Sequence, residues 1–292
     1  EKTPNEQLRE IRNKLMPILK KQQEHYIKDL LPNLEKQKVL IKKYNELTER
    51  QKNWVNNYFL SAIFPVLTPL AVDPSHPFPF VSNLSLNIAV LVTDPDSKRE
   101  LFARVKIPKK TISRFIQIPE DLIKSEEKLI YLGISIEEIV ANNLQSLFPG
   151  MKIAEYSFFR VTRDADLELR DIEADDLMIA IEEGLRKRRM GGEIVRLEVL
   201  ENISPKILDL LLSGMGISDN DLYYISGFLA LDELIILREI NASMLKDKNV
   251  TGRTHVLLKN SQVSLLEDDS KKKEEFQDIF SIIRKKDILV HH

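Results

Sequence analysis

The sequence contains no cysteine, and this absence excludes several kinds of site at once. Disulfides, zinc sites with thiolate ligands and cysteine nucleophiles all require the missing thiol. A chain without cysteine is also typical of a reducing compartment. No apolar run approaches the roughly 20 residues that cross a bilayer, and the first ten residues, EKTPNEQLRE, do not resemble a signal peptide. We therefore expect a soluble, cytoplasmic protein, with no indication of membrane association.

Glycine and net charge are also low. The 292 residues include nine glycines and contain neither GxGxxG nor GxxxxGK[ST], so the usual glycine-rich loops for nucleotide phosphates are missing. Lys and Arg number 43 against 45 Asp and Glu, which leaves no overall field to attract a polyanion. We expect no DNA or RNA partner, and any site for another polyanion must be local.

Proline, by contrast, is concentrated in one apolar stretch, 64–87, which reads FPVLTPLAVDPSHPFPFVSNLSLN. Each proline fixes φ and removes a backbone donor, so neither a helix nor a central strand can run through the stretch. Its many apolar side chains distinguish it from a flexible linker. The pattern predicts a rigid, packed seam between a helical part and a part that contains the sheet.

The residues before the seam have helical spacing. Thr3 and Pro4 are typical of a helix start, and apolar residues then recur every three or four positions. Pro17 predicts a kink or a restart, and Pro32 predicts a second break. A further helix is predicted over 48–64, with Thr48 as its cap. We expect only helices before residue 65.

After the seam the apolar period changes from 3.6 to mainly 2. Strands and helices are mixed without a strict βαβ rhythm, which predicts an α+β fold: an all-helical N-terminal segment followed by a mixed α/β head domain with a mainly antiparallel sheet. The predicted domains are 1–66, 67–262 and a linker with a helix, 263–292. The predicted strands are 85–92, 101–107, 114–118, 128–134, 152–169 (bent) and 194–200. The predicted helices are 135–147, 174–189, 205–212, 231–240 and 274–284; 251–273 is predicted to be a loop, and 287–292 the start of a strand.

The densest basic cluster is Arg186, Lys187, Arg188 and Arg189. Several adjacent cations can bind the oxygens of a phosphate polymer. The same cations also suit the last turn of the predicted helix, because they complement its dipole and the acidic residues at its start. Both interpretations remain open.

A second set of charged residues lies on the predicted strand 152–169. Strict alternation places Arg163 on an apolar face, where it needs a partner: a carboxylate of its own domain, a phosphate or another subunit. The opposite face offers Arg160, Asp164 and Asp166. The two aspartates are roughly 7 Å apart and could share a magnesium ion, although the pattern favours a charged outer face of the sheet.

Four stretches resemble the large, ATP-using polyphosphate kinases: the seam 64–87, YSFFRVTRDADLEL (156–169), LRKRRMGGEIVRLEV (185–199) and the end, IFSIIRKKDILVHH. The resemblance implies an enzyme that transfers the γ-phosphoryl group of ATP to polyphosphate through a phosphohistidine, with magnesium. It also implies that this chain covers part of the helical domain and the head domain. The catalytic residues are then expected beyond His292, so this segment would be inactive alone and would bind no cofactor itself.

The resemblance further implies a homodimer through the head domain, a path for polyphosphate nearby, and a parent that can associate peripherally with a membrane. Arg160, Arg163, Arg186, Lys187, Arg188 and Arg189 are the candidate contacts to the polymer or to the second subunit. Two alternatives stay open: a free-standing interaction module, and an independent magnesium or nucleotide-binding protein that uses Asp164 and Asp166.

Overall fold

A computed structural model of the protein describes residues 2–72, 78–109, 111–123, 128–164 and 192–247, together with 280, 283–285 and 287. The chain divides into two compact units, Glu1–Ala242 and Ser243–His292. The second unit contains a short 3₁₀ helix, Ser243–Leu245. The predicted helix 174–189 and loop 251–273 lie outside the described residues, as do most of the predicted helix 274–284 and strand 287–292.

The N-terminal helix α1 spans Pro4–His25 and begins with a capping box. The Glu6 amide donates to Thr3 Oγ1 at 3.4 Å, and the Thr3 amide donates to the Glu6 carboxylate at 2.8 Å. The helix runs through Pro17 without the predicted restart. Near Pro32 a π-helical stretch, Tyr26–Leu30, precedes α2 (Leu31–Lys36), because a proline cannot donate back to the preceding turn.

The expectation of only helices before residue 65 is wrong at β1, Val39–Lys42. This strand is too short to show an alternating pattern, and it forms because it pairs with a distant strand. The predicted helix after it is confirmed as α3, Glu49–Tyr58, which Thr48 caps. It continues as a π-helical stretch, Phe59–Ile63, and a 3₁₀ turn, Phe64–Val66.

The described strands form two sheets. The smaller sheet has the order β1-β6-β5, and the larger has the order β2-β4-β3-β7-β8-β9. Pairs β1–β6 and β8–β9 are parallel and all other described pairs are antiparallel, so the predicted fold class is confirmed. The remaining strands are β2 (Pro69–Val72), β3 (Leu86–Thr93), β4 (Glu100–Lys106), β5 (Phe115–Gln117), β6 (Tyr131–Ser135), β7 (Lys152–Arg163), β8 (Ile194–Leu200) and β9 (Leu222–Ile225).

The sequence analysis did not predict β2 or β9. Strand β2 lies inside the proline seam, where Pro69 is tolerated because it is the first residue of an edge strand. The predicted helix 135–147 is divided into α4 (Ile136–Asn142) and α5 (Leu144–Leu147). Helix α6 spans Pro205–Met215, whereas the predicted helix 231–240 is a 3₁₀ helix, Leu231–Glu239.

The larger sheet has a hydrophobic core on each face. On one face Ile88 and Val90 pack with α3 and with the smaller sheet. On the other face Phe159 and Val161 pack with Ile207 of α6. Both faces of the C-terminal half of β7 are therefore covered by other elements, whereas its first half is largely exposed. Within the described residues, no helix is both long and apolar enough to cross a bilayer.

Candidate functional site

Strand β7 places its two candidate arginines on opposite faces of the larger sheet. Arg160 lies opposite Leu86 of β3, on the face that α1 covers. Arg163 contacts Phe80 and Val81 on the face that α6 covers. The alternation predicted from the sequence therefore holds as far as Arg163, although the pairing of β7 with β8 shifts by one residue there.

Arg160 is buried, with 8% of its surface exposed, and carboxylates of this chain compensate its charge. Its Nη1 donates to Glu198 Oε2 at 3.1 Å, and its Nη2 lies 3.1 Å from Asp232 Oδ1. Glu198 also accepts a hydrogen bond from Arg196. Neighbouring strands and the start of the 3₁₀ helix thus supply the partners that a buried guanidinium requires.

These four side chains line a cavity of about 190 Å³ beneath α1. Two cations face two carboxylates, so the charges in the lining cancel. Each terminal nitrogen of Arg160 donates to one carboxylate, Nη1 to Glu198 and Nη2 to Asp232. The arrangement is that of a structural ion-pair cluster, and it leaves no excess positive charge for a polyanion.

A second buried ion pair lies at the start of β5 and was not predicted. Arg114 is 6% exposed and Glu137 is 7% exposed, and Arg114 Nε donates to Glu137 Oε1 at 2.9 Å. The same guanidinium donates to the carbonyls of Ala230 and Leu229, both at 2.6 Å, and lies 4.3 Å from the ring of Phe228. Burial raises the pKa of Glu137, and Arg114 opposes this shift. With Arg114 so close, we take Glu137 to be ionised.

The segment 227–233 is also tied to α1 through Gln23. Gln23 Nε2 donates to the Phe228 carbonyl at 2.8 Å, and the Phe228 amide donates back to Gln23 Oε1 at 3.0 Å. A Cβ at Gly227 would come within 2.5 Å of Gln23 Oε1, so a larger residue there would displace the Gln23 amide from this position. Tyr26 packs beside Phe228, and burial raises the pKa of Tyr26 to about 12. The 227–233 segment therefore joins α1 to both sheets.

One sequence signal could have revealed Gln23. It follows Leu19 by four residues and precedes Tyr26 by three, so it lies on the buried face of α1. A polar residue on such a face needs a hydrogen-bond partner. Arg114 gave no comparable signal, because its partners are distant in the sequence.

Arg163 has a different environment from Arg160. Its Nε donates to the Val81 carbonyl at 2.7 Å and its Nη1 to the Gly192 carbonyl at 2.9 Å. Its guanidinium carbon lies 4.3 Å from the centre of the Phe80 ring. Among the described residues its partners are neutral, so the predicted carboxylate partner is not found there. Partial burial lowers the pKa of Arg163, which remains charged.

Beside Arg163 lies an open groove of about 700 Å³. Aromatic and aliphatic side chains line much of it, including Phe78 and Met215, and Glu193 and Asp221 contribute carboxylates. The groove joins the proline seam to the end of α6. Its acidic residues make it a poor path for a polyanion.

The remaining predicted site residues are only partly described. Asp164 is exposed, and its backbone pairs with Gly192 and Glu193. Asp166 and the basic cluster of Arg186, Lys187, Arg188 and Arg189 lie outside the described residues. Within the described part of the chain, no group of three His, Asp or Glu side chains could hold a metal ion.

Comparison with known proteins identifies a family model and a solved structure that match this chain. The sequence profile of the polyphosphate kinase middle domain matches residues 50–237. A crystal structure of polyphosphate kinase from Porphyromonas gingivalis matches 88% of this chain and 36% of that chain, with a TM-score of 0.66 and 18% identity. At that identity the structural match supports the fold alone.

Curated relatives match nearly the whole chain. A polyphosphate kinase of Prochlorococcus marinus (strain MIT 9313) is 54% identical over 290 residues, which are 99% of this chain and 41% of that protein. A polyphosphate kinase of Mycobacterium tuberculosis (strain ATCC 25177 / H37Ra) is 35% identical over 99% of this chain and 38% of its own length. The chain thus spans about two fifths of the length of these relatives. It belongs to the polyphosphate kinase family.

Proposed function

We propose that this chain is a scaffold-forming, non-catalytic part of a polyphosphate kinase. The parent transfers the γ-phosphoryl group of ATP to polyphosphate through a phosphohistidine, with magnesium, and the catalytic groups lie outside this chain. The observation that supports this proposal is the extent of the match. Nearly all of the chain aligns with 41% of a polyphosphate kinase, and residues 50–237 match the middle domain.

The geometry of the described residues supports a scaffolding role. Phosphoryl transfer depends on charged groups that surround the moving phosphoryl group and on a positioned acceptor. Here two of the buried arginines are paired with carboxylates: Arg114 with Glu137, and Arg160 with Glu198. Their arrangement holds the 227–233 segment in place and offers no reaction centre.

An activity assay tests the proposal directly. The purified chain is incubated with ATP, Mg²⁺ and a short polyphosphate primer, and the polymer is sized by gel electrophoresis. We expect this chain not to lengthen the primer. The Prochlorococcus marinus polyphosphate kinase is the positive control and is expected to lengthen it. Lengthening by this chain alone would contradict the proposal.

We also propose that the basic cluster contributes to polyphosphate binding, together with Arg163. Arg160 is a weaker candidate because Glu198 and Asp232 compensate its charge. Replacement of Arg186, Lys187, Arg188 and Arg189 by glutamine is expected to weaken salt-dependent binding of long-chain polyphosphate. Unchanged affinity would show that the cluster only stabilises its own part of the chain.

Homodimerisation through the sheet-bearing domain is the third part of the proposal. Apolar side chains at the seam are partly exposed, with Phe64 at 40%, Val66 at 42% and Leu70 at 37%. They lead into β2, which among the described strands is an edge of the larger sheet with no partner on its outer side. Sedimentation velocity at high micromolar concentration is expected to show a dimer. A single species of 33.8 kDa would contradict this.

A further inference from the structure

The end of the proline seam forms a turn that basic side chains surround. We define the basic corner as Ser82 and Asn83 of this turn together with Arg104, Lys106 and Arg163. Arg104 and Lys106 come from β4, and Arg163 ends β7. Strand β3 lies between β4 and β7, and it begins directly after the turn.

On the β4 side of the corner, a series of hydrogen bonds connects Lys106 to Arg104. Lys106 Nζ donates to Ser82 Oγ at 3.0 Å, and Ser85 Oγ donates to the Ser82 carbonyl at 2.7 Å. Asn87 Nδ2 donates to Ser85 Oγ at 3.0 Å, and Arg104 Nη1 donates to Asn87 Oδ1 at 3.0 Å. These hydrogen bonds thus link the buried guanidinium of Arg104 to the exposed ammonium group of Lys106 through neutral groups.

Arg104 is unusual among these hydrogen-bonded residues because it is a buried cation with a neutral partner. It is 6% exposed, its Nε has no hydrogen-bond partner in the described structure, and its partner at Nη1 is an uncharged amide. Within the described residues it forms no ion pair, in contrast to Arg114 and Arg160. A buried cation without a counter-ion is strongly unfavourable, and it raises the local affinity for an anion.

Arg163 holds the turn from the β7 side. Its amide donates to Asn83 Oδ1 at 2.8 Å and its Nε donates to the Val81 carbonyl at 2.7 Å. Ser82 is half-buried, while Asn83 and Lys106 are exposed. The corner therefore presents hydroxyl, amide and ammonium groups to solvent, with two further positive charges behind and beside them.

We propose that the basic corner binds the oxyanion of a phosphate group, as one unit of a polyphosphate chain. Lys106 has three donors, of which one contacts Ser82, and the serine hydroxyl can rotate to donate to a second phosphate oxygen. Such charge-assisted hydrogen bonds are the strong contacts that phosphate recognition uses. The inference rests on the proposed function, since it assigns a contact of the polymer to Lys106 and Ser82, which the sequence analysis did not select.

The test compares surface variants of the full 292-residue chain by isothermal titration calorimetry with orthophosphate, tripolyphosphate and long-chain polyphosphate. Lys106→Gln is expected to weaken binding about five- to tenfold and to reduce the slope of log affinity against log salt by about one. Lys106→Arg retains the charge and is expected to restore most of the affinity. Ser82→Ala is expected to give a smaller loss. Weakened orthophosphate binding assigns the site to a single phosphate group, and weakening confined to the longer ligands assigns it to the polymer.

Lys152→Gln is the matched control, because Lys152 is exposed at the other end of β7. Equal weakening by Lys106→Gln and Lys152→Gln would overturn the inference, since it would show non-specific attraction. Polyphosphate binding that Lys106→Gln leaves unchanged would overturn the basic corner but not the proposed function. No binding of any of these ligands by the chain would overturn the basic corner and the proposed polyphosphate contacts, whereas the non-catalytic role is tested separately by the activity assay.

Discussion

Two arginines on one strand show how partners decide the role of a buried cation. Arg160 and Arg163 are both on β7, but Arg160 contacts Glu198 and Asp232, whereas Arg163 contacts main-chain carbonyls and Phe80. The first arrangement is neutral overall and lies beneath α1, with Asp232 at its exposed edge. The second belongs to a corner where Arg104 and Lys106 add positive charge, although Glu193 and Asp221 line the groove beside Arg163.

The two kinds of partner lead to different expectations for the stability of the fold and for the binding of anions. A buried ion pair cannot lose one member cheaply, because the other is left as an uncompensated charge in an apolar site. A cation with neutral partners keeps its long-range attraction for anions and is less essential to the fold. We therefore expect substitutions around the 227–233 segment to affect unfolding, and substitutions in the basic corner to affect ligand binding.

The largest effect is expected from Arg114→Met. It leaves Glu137 buried without its partner and removes donors from the carbonyls of Leu229 and Ala230. We expect the free energy of unfolding to fall by about 3–5 kcal/mol, measured by urea denaturation. Adding Glu137→Gln to the same chain is expected to recover part of this loss, because the uncompensated charge is then removed. A loss below about 1 kcal/mol, the typical value for an exposed pair, would contradict the assignment.

A smaller loss is expected from Gln23→Ala. The Phe228 amide and carbonyl both lose their partner, and an unsatisfied, partly buried group costs about 1–3 kcal/mol. Gln22→Ala is the matched control, since Gln22 precedes it on the same helix and is exposed. Equal urea midpoints for the two variants would show that α1 is not held through Gln23.

Arg163→Met tests the arginine that has neutral partners. It leaves two carbonyls without a donor but creates no buried carboxylate, and partial exposure reduces the penalty. We expect a loss of about 1–2 kcal/mol, clearly below that of Arg114→Met, together with weaker polyphosphate binding. A stability loss as large as that of Arg114→Met would remove the distinction between the two regions.

The sequence predicted local features well and long-range partners poorly. The cap at Thr48, the strand Ile194–Leu200 and the mainly antiparallel sheet follow from short-range patterns, and the structure confirms them. Strands β1 and β9 have four residues each, which is too short for a period to stand out. Their existence depends on parallel partners elsewhere in the chain.

The candidate site shows the same limit. Composition and alternation identified Arg160 and Arg163 as residues that need partners, but not which partners they have. Asp232 follows Arg160 by 72 positions and joins it through the fold. Arg104 was not selected because an arginine in an amphipathic strand is ordinary until its missing counter-ion is seen.

The smallest effect is expected from Ala230→Gly, and it should stabilise the protein. Ala230 has φ of 53° in the left-handed region, where its Cβ is unfavourable, while Arg114 fixes its carbonyl. Glycine relieves this strain, and we expect a gain of up to about 1 kcal/mol in the free energy of unfolding. Ala103→Gly in β4 is the matched control and should destabilise by about 0.5–1 kcal/mol, since glycine weakens a strand. If urea denaturation showed both variants to be equally destabilised, Arg114 would not be holding Ala230 in a strained conformation, and the order of the 227–233 segment would need another cause.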